Sequence, residues 1–187
     1  MMTTMTARGP AVDLAAPIVE RARRGDREAF TALIRHHDAG LRALAYRLLG
    51  DRDRMDDALQ EAYVKAYRAL PGFRGNARLG TWLYRIVYNA ALDELERSRR
   101  VVQVPVEELA DEVGSGDVAE AVAQRGDLAA ALAELAPEDR ATVLLVDAQG
   151  FDYRDAGEVL GVPEGTVASR LNRARAALRS VLSEEER

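Results

Sequence analysis

Apolar residues recur at three- and four-residue steps through most of the chain, the spacing that lines one face of an α-helix. From about Arg27 to Leu49 the stripe runs Phe30, Leu33, Ile34, His37, Leu41, Leu44, Ala45 and Leu48; Asp26 is placed to cap its start and Gly50 to close it. A short helix over Leu14 to Arg24 precedes it and ends at Gly25. A third, about Arg54 to Leu70, sets Met55, Leu59, Ala62, Tyr63, Ala66 and Leu70 on one side before Pro71 and Gly72 stop it. A fourth, about Thr81 to Arg99, turns Trp82, Leu83, Ile86, Val87 and Ala90 inward. Four further segments follow a long interruption: a short Ala/Leu helix from Asp127, one opened by Pro137 and ending near Gly150, one capped by Asp152 through Leu160, and a last from Thr166 to Leu182.

This pattern predicts an all-α protein of two small helical domains joined by an acidic linker. The expected division is a mixed Thr, Met, Gly and Pro tail over 1–12, a four-helix unit over 13–100, a linker over 101–126 and a second unit over 127–187. A chain of 187 residues is too short for a large catalytic barrel.

Charge sharpens the division. The net charge is −5 overall, which argues against a whole-surface nucleic-acid binder, but residues 1–100 carry +5, residues 101–127 carry −6 and residues 128–187 carry −4. With no cysteine there is no disulfide framework, thiolate metal site or thiol nucleophile. No apolar run reaches the ~20 residues needed to span a bilayer, and the N-terminus lacks a secretory signal, so a cytoplasmic location without membrane insertion is expected.

Asp152 to Leu182 has the layout of a helix-turn-helix. With Thr166 at zero and ~100° per residue, Val167, Leu171, Ala174, Leu178 and Val181 share one side of the last helix. Thr166, Ser169, Arg170, Asn172 and Arg173 take the opposite arc, free to meet phosphates or base edges in a major groove. Arginines 170, 173, 175 and 179, with no acid from Thr166 through Ser183, concentrate positive charge on this one element.

GVPEGTVASRLNRARAAL closely resembles the DNA-reading motif of extracytoplasmic-function (ECF) sigma factors of the sigma-70 family. DALQE followed by AYVKAYRAL and then PGFRGNARLGTWLYRIVYNAALDELERSRR resembles their region 2. The resemblance covers about Ile18 to Leu182 and implies an initiation subunit that binds core RNA polymerase and directs promoter-specific transcription. By resemblance, Asp56, Asp57, Gln60 and Glu61 meet the clamp helices of the largest polymerase subunit, while the flap is a further polymerase contact. Acids in a first helical turn also favour the macrodipole, a simpler account of Asp56 and Asp57.

The loop carrying Phe73, Arg74, Asn76 and Arg78 combines an aromatic face, two cations and an amide able to hold an unstacked base, and the resemblance implies that this is a base of the minus-ten element. Trp82, Arg85 and Asn89 stand on the next helix and Lys65 and Arg68 near phosphates. Trp82 matches the first of two tryptophans that form a wedge in primary sigma factors, the second being Leu83 here, and core packing explains Trp82 equally well. Minus-thirty-five readout is expected from Thr166, Ser169, Asn172 and Arg173, with Arg170 and Arg175 on the backbone. Ala168 stands where the family usually has a basic residue, and Gly157, where alanine is usual, costs roughly 1 kcal/mol of helix propensity. The acidic linker would follow the basic path of nascent RNA or serve as a solvated tether.

The implied partners are core RNA polymerase, promoter DNA and an anti-sigma factor that would hold the protein at the membrane; no small-molecule substrate is implied. Catalytic residues, cofactors and metal sites are not expected: no phosphate-cradling GxxxxGK[ST], HExxH or Gly-x-Ser-x-Gly occurs, and adjacent His36 and His37 diverge by about 100° on a helix. The alternative is a helix-turn-helix regulator acting without core polymerase.

Overall fold

The computed structural model describes residues 16–75, 78–101 and 128–185. The predicted tail (1–12), residues 102–126 of the predicted linker and Asn76 lie outside the described residues. The described residues contain helices and no strand, and the fold is all-α. The front half consists of α1 (Ala16–Arg23), α2 (Arg27–Leu49), α3 (Arg52–Ala69) and α4 (Leu79–Val101). The rear half consists of α5 (128–134), α6 (Pro137–Val143), α7 (Tyr153–Leu160) and α8 (Glu164–Glu185).

The ends of these helices follow from short polar side chains and glycines. Asp26 accepts hydrogen bonds from the backbone N–H groups of Glu28 and Ala29, both at 3.0 Å, and so satisfies donors that the first turn of α2 leaves free. Those bonds, that from Ala29 foremost, together with Arg21 hold its carboxyl below the usual range. Gly50 takes the left-handed conformation (φ 70°) that ends α2. The next helix begins earlier than its apolar stripe predicts, because Asp51 accepts from the backbone N–H of Arg54 at 2.7 Å and starts α3 at Arg52. Asp56 and Asp57 therefore stand in the second turn, where the macrodipole account of them loses force.

In the rear half Pro137 opens α6, which widens into a π turn over Leu144–Ala148. Asp152 caps α7 through the backbone N–H of Asp155 (2.7 Å), and Gly161 (φ 69°) closes it. A Cβ on Gly157 would stand 2.6 Å from the carbonyl oxygen of Val162. The missing side chain thus lets the turn fold back on α7, which offsets the lost helix propensity.

Leu41, Leu44 and Leu48 of α2 cluster with Leu59 and Ala62 of α3 and Leu83, Val87 and Ala90 of α4, all within 2% of full burial, while Leu33 packs in a smaller cluster with Ala22, Ala29 and Leu70. The core does not stop at the front half, and one cluster runs on through Leu145, Phe151, Val159 and Leu171. Tyr84 joins the two: it is 1% exposed, its ring lies 4.9 Å from that of Phe151, and its hydroxyl donates to Gln149 Oε1 at 3.0 Å. Burial pushes that hydroxyl up to about 12. It fits over Gly40, where a Cβ would sit 1.8 Å from the Tyr84 oxygen. Arg140 of α6 adds a polar tie, donating through Nη1 to the Leu48 carbonyl at the end of α2 (3.0 Å).

Candidate nucleic-acid interface

Met55, Ala58, Leu59 and Ala62 bury one side of α3 and so force Asp56, Asp57, Gln60 and Glu61 toward solvent. The patch is less acidic than its sequence suggests. Asp56 accepts from Arg42 at 2.6 Å, and Glu61 is shared between Lys65 (2.8 Å) and Arg97 (2.6 Å). Hydrogen bonds donated by Lys65, then Arg97, lower the Glu61 carboxyl, and donating to Glu61 raises the Lys65 ammonium, which also reaches Asp93 at 3.3 Å. Lys65 and Arg68, expected near phosphates, line one shallow surface with Asp57, Gln60, Glu61 and Val64. Val64 is 44% exposed, an apolar centre in this polar face.

The loop after α3 begins in a tight 3-10 turn, Leu70–Gly72, in which Phe73 N–H donates to the Leu70 carbonyl. Phe73 is half-buried with its ring 5.2 Å from that of Trp82. Trp82 is itself half-buried against the core, so packing and an accessible aromatic face coexist in one residue. Arg74 and Arg78 are exposed, and Gly75 (φ 72°) turns the chain between them. Arg85 and Asn89 are exposed one turn apart on α4.

Phe73, Arg74 and Arg78 face a cleft of about 780 Å³ that α1 also lines through Val19, Glu20 and Arg23, and α7 with its cap Asp152 closes it through Asp155 and Glu158. Arg78 donates to Asp155 across it at 3.0 Å. Burial, then Asp152, raises the Asp155 carboxyl despite that cation. This pairing spans 77 residues of sequence and leaves no local signal.

On α8 the predicted inner side is confirmed: Val167, Leu171 and Ala174 are fully buried and Leu178 is partly buried. Ser169 and Asn172 are exposed, Thr166 and Arg170 half-buried, and Arg170 lies close enough to Tyr88 of α4 to bear on its hydroxyl. Arg173 and Arg175 are not loose cations. The first donates through Nε and Nη2 to the two oxygens of Asp139, both at 2.6 Å; the second makes the same fork with Asp147 at 3.0 and 2.5 Å. Arg175 also lies about 180° round the helix from Thr166, so the structure does not bring it onto the reading arc.

Asp139, in the first turn of α6, reads in the sequence as a helix-end charge, and Asp147, in the π turn, pairs with an arginine 28 residues away that no local pattern connects to it. Among the described residues no group of three His, Cys, Asp or Glu side chains is arranged to hold a metal, and no helix is long and apolar enough to cross a membrane.

Residues 33–101 match the family model for sigma-70 region 2, and residues 125–178 that for sigma-70 region 4. The chain is 43% identical over 161 residues to the ECF RNA polymerase sigma factor SigM of Mycobacterium tuberculosis, covering 84% of this chain and 79% of the relative. It is 34% identical over 173 residues to the ECF RNA polymerase sigma-E factor of Escherichia coli, covering 86% and 90%. Among solved structures it is similar to CnrH in complex with the cytosolic domain of CnrY, with a TM-score of 0.70, 26% identity and coverage of 90% and 96%. It is also similar to the sigma factor RpoE in complex with the anti-sigma factor NepR from Bartonella quintana, with a TM-score of 0.67, 29% identity and coverage of 82% and 96%.

Proposed function

The chain belongs to the sigma-70 family as an ECF RNA polymerase sigma factor, and from that premise we propose how its surfaces divide the work of starting transcription. It binds core RNA polymerase and directs it to particular promoters, a role in initiation rather than in catalysis. The outer face of α3, with Asp56, Asp57, Gln60 and Glu61 around exposed Val64, meets the clamp helices of the largest subunit. Because Asp56 and Glu61 are paired to exposed cations, docking exchanges one set of partners for another and uncovers no buried charge.

Phe73 and Trp82 offer stacking faces, and Arg74, Asn76 and Arg78 hydrogen-bond donors, to a base pulled from the minus-ten element. Arg85 and Asn89 lie along the exposed strand. Thr166, Ser169, Asn172 and Arg173 read the minus-thirty-five element in the major groove, with Arg170 toward its backbone. An anti-sigma factor covers the polymerase-binding faces; support comes from the similar structures, in which CnrH is in complex with the cytosolic domain of CnrY and RpoE with the anti-sigma factor NepR. The protein acts in the cytoplasm, and its linker tethers the two units.

The observation that carries this reading is the coexistence in one chain of the aromatic, cationic loop after α3 and the polar outer arc of α8; a regulator that only binds duplex needs the second and not the first. Run-off transcription with core polymerase tests it. Specific starts that depend on this protein are expected, with weak and strongly salt-sensitive duplex binding by the protein alone. Tight, specific duplex binding by the free protein without specific starts would favour the alternative regulator.

A further inference from the structure

We infer that Asp139 is a positioning residue for DNA reading: it holds Arg173 so that the far edge of the guanidinium is presented to a guanine in the duplex. The inference rests on the proposal that α8 enters the major groove.

Asp139 is 6% exposed, and both its oxygens go to one guanidinium. The fork is side-on, using the Nε–H and one Nη2–H of Arg173. An arginine has five N–H donors, so three remain, two of them on the terminal edge formed by Nη1 and Nη2. That edge has the geometry to donate to the O6 and N7 acceptors of guanine. The Arg173 side chain is 64% exposed although its partner is buried, so the pairing fixes the cation without covering it. Thr166, Ser169 and Arg173 follow one another at i, i+3 and i+7, which sets all three on one stripe of α8.

A free arginine loses much side-chain entropy when it grips a base. Here Asp139 removes that freedom in advance, and α6 holds Asp139 through its buried neighbours Ala141, Thr142 and Val143. The carboxylate also offsets the arginine's charge. A neutralised pair contributes little to attraction for phosphates, which is sequence-blind and salt-sensitive, and contributes mainly to base choice. Arg175 supplies the contrast. It makes the same fork, yet Asp147 is 38% exposed and the pair lies on the side of α8 away from Thr166. The geometry gives the Asp147 pair no share in base reading.

The test is selection by the holoenzyme from a promoter library randomised through the minus-thirty-five element, comparing the protein with Asp139→Asn, Arg173→Ala, Arg173→Lys and the double variant. Base preference is a ratio within one library and does not depend on how much protein is folded, so a merely structural role for Asp139 would leave it unchanged. In Asp139→Asn, preference for guanine at one base pair is expected to fall about tenfold. Arg173→Ala should lose the same position, the double variant should lose nothing more, and Arg173→Lys, which keeps the charge without the fork, should not rescue it.

Binding of the Asp139→Asn holoenzyme to random duplex should become more salt-dependent, by about one unit of slope, as the arginine's charge is released. If Asp139→Asn keeps every preference of the original protein, the inference is overturned whatever Arg173→Lys does, while DNA reading by α8 stands. If the unaltered holoenzyme shows no minus-thirty-five preference at all, the parent proposal fails instead.

Discussion

In the front half, Glu61 is shared by Lys65 and Arg97 and Lys65 in turn by Asp93, a chain of charges each between a third and a little over half exposed. In the rear half, Asp139 shows 9% of its side chain and gives both oxygens to one arginine. The first arrangement has several near-equivalent partners in water and can be redistributed when another surface arrives. The second fixes one geometry, because an unpaired carboxylate in that position would meet little solvent. Buried ionisable groups divide the same way: His37 in the front half is 7% exposed and kept neutral, whereas Asp139 is kept paired. Adaptable charge thus faces the proposed polymerase contact, and fixed charge supports the proposed reading helix.

The strongest way to break this contrast is to remove the residue through which the halves share a core. Tyr84→Ala is expected to cost about 3–5 kcal/mol, the usual range for deleting a buried aromatic ring. The rear half, lacking Tyr84 against Phe151 and Gln149, should then melt before the front half; a single unshifted calorimetric transition would contradict a shared core.

Acid should act next. Burial, with His36 adding to it, lowers the His37 imidazolium to about 4 from its ordinary 6.5, so the unfolded chain binds the extra proton between those values. The folded state keeps this contribution in full above pH 6.5 and loses it as pH falls toward 4, by at most about 3 kcal/mol. His37→Gln should flatten the stability profile in that window, read by denaturant titration at successive pH values.

The smallest effects compare the two kinds of ion pair directly. Glu61→Gln should move the melting temperature by no more than ~2 °C, since exposed pairs contribute little. Arg173→Met should move it further, because Asp139 is left without its partner. Equal shifts would erase the distinction between adaptable and fixed charge.

Much of the architecture was legible because it is local. The stripes of α2, α3, α4 and α8, the caps at Asp26 and Asp152 and the stops at Gly50 and Gly161 all follow from neighbours within a few residues. Asp51 does not stand out as a cap in the sequence because the apolar stripe of α3 begins only at Met55. The purpose of Gly157 lies in how closely the Val162 carbonyl approaches it, a distance no spacing reveals. The candidate site was legible as a set of residue types and not as a set of partners. Arg173 and Asp139 lie 34 residues apart, Lys65 and Asp93 28 apart, and Arg78 and Asp155 77 apart, so their pairing is decided by packing.

The seat of Tyr84 over Gly40 bears on reach. Promoter elements roughly 25 base pairs apart stand on the order of 80 Å apart along B-form DNA at ~3.4 Å per pair. Arg78 of the proposed minus-ten loop, by contrast, touches α7 of the helix-turn-helix. On the proposed reading, spanning that distance would require the halves to part and Tyr84 and Phe151 to become wet, with polymerase as the stretcher that extends a folded ruler.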